Sequence, residues 1–320
     1  MILQKGIDFE LLVIDDCSKV NYSDKIKDFF SRYNFSNYKL IIHEKNLGIV
    51  ATCLDAAQNS KANYIRVIGQ GDMFFDEYAL RDSYDYAVKT SADVLVSKAV
   101  WYKALSNPVE IFEAHRYPQN IKAYDNPDDL RESYLIQDDR VSGATVMYRR
   151  DLFAEYMSEA VSEGLKYTED FIIKFMVFDK RRIKFFDRNV IFYEHGAGVT
   201  TVKDNKTPHR TKDIAEALIN DAYISNITLL ERCKTYPSEF SDRLSTLLIP
   251  TLELKKKFEA RQKLKAKLGI FSIPLVRLWR SLKYVKRKIL LKTPTEEKKD
   301  FIKTDINVST DFANLCINRK

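Results

Sequence analysis

The chain has 320 residues, 45% of them apolar and 12% aromatic, with nine glycines and eight prolines, so disordered, collagen-like and linker-like chains are excluded. Its four cysteines are scattered without C-x-x-C spacing, which argues against structural zinc and a disulfide framework and favours a reducing cytosol. The net charge of +7 is uneven, because residues 253–292 hold fourteen Lys and Arg against two acidic residues, which leaves −5 for the rest.

The first hundred residues alternate between strand and helix patterns. Short apolar runs predict strands at 9–15, 38–44, 64–69 and 93–97, and helical spacing of apolar residues predicts helices at 22–33, 48–60 and 76–90. Such alternation is typical of an α/β fold with a mostly parallel sheet and helices on both faces. Because ligands bind at the carboxyl ends of such strands, we expect the acids at 15–16 and at 72 to lie on one edge.

Beyond residue 100 the alternation of strand and helix patterns first becomes irregular and then resumes. Prolines and polar residues between 100 and 140 indicate a substrate loop. A strand at 143–150 and helices at 151–161 and 168–180 follow, and the runs RIKFFD and NVIFYE predict a closing pair of strands. From Pro208 onward the pattern is helical, so we predict an α/β domain over 1–207 and a helical region over 208–320.

Four segments in this order resemble a family 2 glycosyltransferase of GT-A fold. They are DFELLVIDDCS (8–18), NLGIVATCLDAAQNSKANYIRVIGQGD (46–72), SGATVMYRRDLF (142–153) and YTEDFIIKFMVF (167–178). The resemblance covers about residues 1–200. It implies a GT-A-like, Rossmann-like domain that transfers a sugar from a nucleotide-sugar donor to an acceptor, with inversion at the anomeric carbon.

The resemblance also implies which residue acts as the base. In an inverting transfer one carboxylate takes the proton of the attacking acceptor hydroxyl, and Asp170 matches that position, with Glu169 as a supporting acid. The alternative is that both acids serve only the local structure, because Thr168 is a natural N-cap and two acids stabilise the start of a helix electrostatically.

Acids near the strand ends match the donor site of the family. Asp15 and Asp16 correspond to residues that contact the nucleoside, with Asp16 preferred. Gly71 and Asp72 end the D-x-D-type motif, so Asp72 is expected to hold the diphosphate or a Mg²⁺ or Mn²⁺ ion. Glycines at 69 and 71 replace further acids, so metal binding is expected to be weaker, supplemented from elsewhere or absent. The alternative for each acid is an ordinary turn residue.

His195 is a second candidate metal ligand, because it follows the last predicted strand beside glycines. Its alternative is a structural histidine. Arg149 and Arg150 either bind acceptor or phosphate or simply begin a solvated helix.

The family pattern begins with one more strand and helix than this sequence contains, and MILQKG resembles the end of that helix. We therefore expect a gap in the middle of the sheet unless another segment fills it, because buried unpaired backbone groups are costly. A catalytically impaired remnant that only binds partners or membrane is the alternative function.

Residues 253–292 form a basic segment in which apolar residues recur at helical spacing among Lys and Arg. A basic amphipathic helix with Trp and Leu is typical of binding to an anionic membrane surface. We predict a cytoplasmic protein, peripheral at the inner membrane face, that acts on a lipid-linked or polysaccharide precursor of a bacterial cell-surface glycan. One alternative is a helix that packs on the catalytic domain. Another is nucleic-acid binding, although the sequence contains no recognised nucleic-acid-binding module beside the basic segment.

Overall fold

The computed structural model describes residues 1–103, 110–113, 118–194 and 208–268. The strands in these ranges are β1 Leu11–Asp15, β2 Tyr38–Ile42, β3 Tyr64–Ile65, β4 Met73–Phe74, β5 Val94–Lys103, β6 Glu110–Glu113, β7 Val146–Arg149 and β8 Ile183–Glu194. The α-helices are α1 Ser23–Arg32, α2 Ile49–Asn59, α3 Ala79–Thr90, α4 Pro127–Arg131, α5 Arg150–Ser162, α6 Ile172–Phe178, α7 Pro208–Thr235 and α8 Glu239–Leu268. Short 3₁₀ turns lie at Ile121–Asp125, Gly143–Thr145 and Glu169–Phe171, and a π-helical turn lies at Glu132–Ile136.

The described strands form two sheets. β1 and β2 pair in parallel, and no described strand pairs with the other edge of β1. The larger sheet has the order β3–β7–β5–β8–β4, with β6 beside β5. Within it β5 and β8 are parallel, whereas the other described pairs are antiparallel. The α/β architecture is confirmed, but the sheet is mixed rather than mostly parallel, because an apolar run does not reveal which neighbour its backbone will bond.

One long strand replaces the predicted closing pair of strands. β8 runs through both apolar segments and follows β5 with register shifts around Lys98. The polar residues that predicted a turn form ion pairs at this irregularity: Lys98 Nζ lies 2.5 Å from Asp187 Oδ1, and Arg188 Nη2 lies 2.7 Å from Asp76 Oδ2. A β-bulge interrupts an apolar pattern without ending the strand.

The described part of the predicted substrate loop is more ordered than expected. Its short helices bury Tyr124 and Leu130 in the main core. Asp139 accepts hydrogen bonds from the backbone N–H groups of Gln119 and Asn120, at 2.7 and 2.8 Å. These bonds hold the end of the segment, at Asp139, next to its beginning at Gln119 and Asn120.

The main core lies where α2, α5 and α6 pack on the larger sheet. Phe153, Ile172 and Phe175 are fully buried, and the predicted inward positions Cys53 and Ala57 of α2 are buried beside them. Each such large apolar side chain stabilises the fold by about 1.5–3 kcal/mol. This core supports the loops that carry the acids.

Helices α7 and α8 form a hairpin that completes the same core. Leu229 and Leu244 are 1% and 0% exposed and belong to the main apolar cluster. Arg232 of α7 binds both carboxylate oxygens of Glu159 on α5, at 2.7 and 2.6 Å. The carboxyl-terminal helices are therefore packed firmly on the α/β body.

Candidate active site

The carboxyl end of β1 carries two acids with different surroundings. Asp16 accepts hydrogen bonds of 2.8 Å from each backbone N–H of Leu47–Gly48, and its Oδ1 lies 2.9 Å from His43 Nδ1. Among the described residues, Asp15 accepts a single side-chain hydrogen bond, from the Ser18 N–H at 2.8 Å. Both oxygens of Asp16 are thus engaged by the protein, while Asp15 retains an oxygen for a ligand.

His43 was not predicted as a site residue. Its Nε2 lies 3.2 Å from Asp55 Oδ2, so the ring bridges Asp55 and Asp16. The hydrogen bond with Asp16 raises the pKa of His43, burial opposes this, and the bond with Asp55 adds to it. Burial raises the pKa of Asp16, but its hydrogen bonds prevail and lower it. Its position in the sequence could have identified it as a site residue, because His43 directly follows β2, at the carboxyl ends of the strands where ligands bind.

Gly48 brings the start of α2 against the segment before Glu169. Its φ is +89°, and a Cβ there would lie 2.8 Å from the Lys166 carbonyl oxygen. The same oxygen accepts a hydrogen bond from the Val50 N–H at 3.1 Å. Glycine alone tolerates both the backbone conformation and this approach. The N-L-G motif therefore links Asp16 physically to the segment that precedes the acid pair.

Glu169 and Asp170 form a 3₁₀ turn ahead of α6 and lie beside Gly143, where a Cβ would be 3.3 Å from Asp170 Cβ and 3.5 Å from Glu169 Oε1. Both residues are partly exposed. Burial raises the pKa of Glu169, and the charge of Asp170 adds to this. Burial also raises the pKa of Asp170, while the positive charges of Lys174 and Arg140 oppose it.

Thr168 does not cap this turn, contrary to the alternative that its sequence position suggested. Its side chain accepts no capping hydrogen bond, and its hydroxyl donates to Asp221 Oδ2 on α7 at 3.0 Å. Sequence reasoning missed Asp221, because nothing marks one acid within a long helix as a partner for residues more than fifty positions away.

Asp72 lies in the turn that leads into β4, and its Oδ1 accepts a hydrogen bond from the Glu194 N–H at 3.0 Å. Gly71 has a φ of +96°, and a Cβ there would collide with Glu194 Oε2. Burial raises the pKa of Asp72 to about 6, and the charge of Glu194 contributes to this rise. The glycine thus leaves room for a second carboxylate beside Asp72.

Tyr193 connects the two groups of acids. Burial raises its pKa, and so do the negative charges of Asp72, Glu169 and Asp170. Asp72 and the acid pair are therefore each within electrostatic range of the Tyr193 hydroxyl. The Gly48–Lys166 contact connects the Asp16 loop to the segment that precedes the acid pair.

Asp72 and Glu194 are neighbours, since Asp72 Oδ1 accepts the Glu194 N–H at 3.0 Å, and carboxylate oxygens are the ligands that Mg²⁺ and Mn²⁺ prefer. His195 lies outside the described residues. Across the described residues, no group of three or more His, Cys, Asp or Glu side chains could hold a metal ion.

Arg149 and Arg150 bind other parts of the protein. Arg149 Nη1 lies 2.7 Å from Asp93 Oδ1, and Arg150 Nε donates to the Ala62 carbonyl at 2.9 Å. These contacts support the alternative that both residues serve the start of α5.

Residues 1–157 match the family model described as glycosyl transferase family 2. A search of the curated proteins finds no match. Among solved structures, TarS of S. aureus is 14% identical with a TM-score of 0.47, and the match covers 79% of this chain and 39% of TarS, so the chain spans well under half the length of TarS. The TarS fragment 1–349 in complex with UDP has the same identity and TM-score, with 85% and 70% covered.

The mannosyltransferase PcManGT from Pyrobaculum calidifontis, in complex with GDP-Man and Mn²⁺, is 11% identical with a TM-score of 0.39, and the match covers 85% of this chain and 78% of that protein. Likeness at this level does not bear on the chemistry of the site. Residues 1–157 contain the D-D-x-S, N-x-G and Gly71–Asp72 motifs, and the family match identifies this part of the chain as a family 2 glycosyltransferase domain.

Proposed function

We propose that the chain is an inverting glycosyltransferase that moves a sugar from a nucleotide-sugar donor to a hydroxyl of a lipid-linked or polysaccharide acceptor. The observation that carries this proposal is the family match over residues 1–157, and Asp72 and the Glu169–Asp170 pair, which all act electrostatically on Tyr193, supply the chemical groups. In-line displacement needs two groups, one beside the departing diphosphate and one beside the attacking hydroxyl. Asp72 supplies the first and the acid pair supplies the second.

Asp170 is the base in this mechanism. Burial and mutual repulsion disfavour two charges in the acid pair, so one of the two carboxyls keeps a proton at neutral pH. Lys174 and Arg140 favour the ionised form of Asp170, so the proton resides on Glu169. Asp170 takes the proton of the acceptor hydroxyl while the hydroxyl oxygen forms a bond to the anomeric carbon. The bond from that carbon to the diphosphate oxygen breaks, and the electron pair leaves with the diphosphate.

The donor side divides its roles between neighbouring acids. Asp15 offers a free carboxylate oxygen to the nucleoside, whereas Asp16 shapes the loop through its own hydrogen bonds. Asp72 and Glu194 would hold Mg²⁺ or Mn²⁺, with His195 as a further candidate ligand. Such a cation would neutralise charge on the departing diphosphate.

Asp170→Asn tests the assignment of the base. The variant preserves the size of the side chain but cannot accept the proton, so transfer should slow by about 10²- to 10⁴-fold. The dissociation constant of UDP or GDP, measured by calorimetry, should change by less than about twofold. Glu163→Gln, at an exposed site beyond α5, is the control. Transfer at the wild-type rate in Asp170→Asn would remove Asp170 as the base.

A panel of UDP-, GDP- and dTDP-sugars, each with and without Mn²⁺, tests donor binding by thermal shift. A donor should raise the melting temperature, because binding stabilises the folded state. The absence of any shift, together with the absence of transfer, would favour the alternative of an impaired remnant that only binds partners or membrane.

We also propose that the enzyme lies at the inner face of the cell membrane through its basic segment 253–292. Lys256 and Lys257 at the start of this segment are exposed, whereas Lys255 Nζ lies 2.9 Å from Asn220 Oδ1 and so contributes to packing on α7. Residues 269–292 lie outside the described residues. None of the described helices has the length and apolar character needed to cross a bilayer.

A further inference from the structure

Asp221, near the middle of α7, is 1% exposed and accepts four hydrogen bonds from three consecutive residues. Its carboxylate receives the backbone N–H groups of Lys166 at 3.2 Å, Tyr167 at 2.7 Å and Thr168 at 3.1 Å, together with the Thr168 hydroxyl at 3.0 Å. Successive N–H groups that converge on one anion form a backbone nest. A buried carboxylate is costly unless it is hydrogen-bonded, and here the nest satisfies it.

The nest fixes residues 166–168 from one side, and α2 fixes them from the other. The Lys166 carbonyl accepts the Val50 N–H at 3.1 Å. The acid pair follows without an intervening residue, and its turn begins with the hydrogen bond from the Phe171 N–H to the Thr168 carbonyl at 3.1 Å. The position of Glu169–Asp170 therefore depends on the backbone that Asp221 holds.

Helix α7 has anchors other than Asp221. Arg232 anchors the same helix to Glu159 through two hydrogen bonds, and Leu229 is buried in the main core. The carboxylate of Asp221 is directed at segment 166–168 instead. Its contacts are thus separable from the packing of the helix.

We propose that Asp221 is a positioning residue for the transfer reaction, a carboxylate from the carboxyl-terminal helices that sets the backbone of 166–168 and thereby the place of the catalytic acid pair. This inference rests on the proposed function, because it takes Asp170 as the base. It makes α7 part of the active-site machinery, although α7 lies outside the family match over residues 1–157.

Asp221→Asn in the full chain tests the effect on turnover. The variant keeps the shape of the side chain but turns an NH₂ group toward donors, so the nest loses bonds and the acid pair shifts. Because a misplacement of about 1 Å costs about 10²-fold in rate, kcat should fall by about 10- to 100-fold. The donor KM and the dissociation constant of UDP or GDP should stay within about twofold. Glu216→Gln, exposed on the same helix, should leave all of these values unchanged.

Amide hydrogen exchange tests the same inference without activity. The N–H groups of 166–168 should be protected in the wild type and should exchange about tenfold faster or more in Asp221→Asn, while the amides of α5 keep their protection. This measurement separates the two proposals, because it stands even if no donor is ever turned over. Unchanged exchange at 166–168 would overturn the inference, and so would faster exchange with kcat within about twofold of the wild type.

Thr168→Val is the second variant, for the case in which Asp221→Asn also loses the protection of α5. It removes a single bond to Asp221 and preserves the volume of the side chain. Faster exchange at 166–168 with a lower kcat and an unchanged donor KM would support the inference. Wild-type exchange and wild-type kcat would overturn it.

Discussion

Asp170 and Lys174 lie one helical turn apart, so the base and its nearest cation share one face of the element. The Lys174 ammonium lies 3.9 Å from the ring centroid of Phe171. Burial lowers the pKa of Lys174 to about 8; Arg140 also lowers it, and Asp170 opposes both. Asp170 and Lys174 therefore each favour the charged form of the other against burial.

Lys174→Met should move the acidic limb of the pH–rate profile to higher pH. Asp170 must be ionised to act, so kcat falls as the pH falls through its pKa, which burial raises above its ordinary value. Removing Lys174 removes a charge that favours the ionised form, so this pKa rises further and activity is lost at a higher pH. The measurement is kcat between about pH 4 and pH 9, a range that spans the ordinary and raised values of a carboxyl group. Lys180→Met, at an exposed lysine paired with Asp128, should leave the limb in place, and an unmoved limb in Lys174→Met would refute the coupling.

The roles of single residues were only partly predictable from the sequence. Asp72 and the acid pair were predicted as site residues because their motifs are local and ordered. His43, Tyr193, Glu194 and Asp221 were missed, because each gains its role through contacts with residues remote in the chain: His43 with Asp16 across 27 positions, and Glu194 with Asp72 across 122.

At the scale of elements, one glycine decides how closely two segments approach. Gly48 and Gly164 have nearly the same φ, +89° and +90°, but a Cβ at Gly48 would meet the Lys166 carbonyl oxygen at 2.8 Å, whereas one at Gly164 would meet Ile224 Cδ1 at 3.7 Å. Gly48 therefore combines a glycine-only backbone conformation, with a ψ of 162°, with a close backbone contact that Gly164 does not have.

Gly48→Ala should destabilise the protein more than Gly164→Ala. Both variants place a side chain at a positive φ, and Gly48 also has a ψ of 162°, a backbone region that essentially only glycine adopts. In addition, Gly48→Ala forces α2 away from the Lys166 carbonyl. We expect an additional loss of about 1 kcal/mol or more in the free energy of unfolding, together with a lower kcat. Urea unfolding of both variants measures the difference. Equal losses would show that the close approach does not matter.

The elements themselves followed from the sequence better than their pairing. Helices α1, α2, α3 and α5 lie within a few residues of the predicted bounds. The two apolar runs that became β8 are separated by polar residues that are typical of a turn. In the structure two of these residues form ion pairs instead, Asp187 with Lys98 and Arg188 with Asp76. The periodicity of apolar residues indicates which side of a strand is buried, but the pairing of strands depends on which other strand lies beside it.

For the whole molecule, the charge separates into an acidic body and a basic segment. This uneven charge affects what the protein binds rather than how it folds, because an anionic surface attracts Lys and Arg over distances of about a Debye length. The alternative, a helix that packs on the body, accounts for Lys255 through its contact with Asn220.

Replacing Arg261, Lys263, Lys265 and Lys267 with Gln should weaken binding to vesicles that contain phosphatidylglycerol. At about 1 kcal/mol for each charge near an anionic surface, the loss is about 4 kcal/mol, or about 10³-fold in affinity. Co-sedimentation at low salt measures it. The control replaces Lys19, Lys25, Lys27 and Lys61, exposed lysines of the body, and should retain binding. Unchanged binding by the first variant would reject the membrane proposal.

The sequence by itself determined the α/β class, the order of elements and the chemical groups at the strand ends, because periodicity, turn residues and motifs are local properties of the chain. Only the tertiary structure decided that the larger sheet is mixed, that Asp16 is engaged while Asp15 retains an oxygen for a ligand, and that Asp221 of α7 holds the segment before the acid pair. These outcomes depend on hydrogen bonds between distant segments, and a bond across many residues exists only once packing has brought its donor and acceptor together.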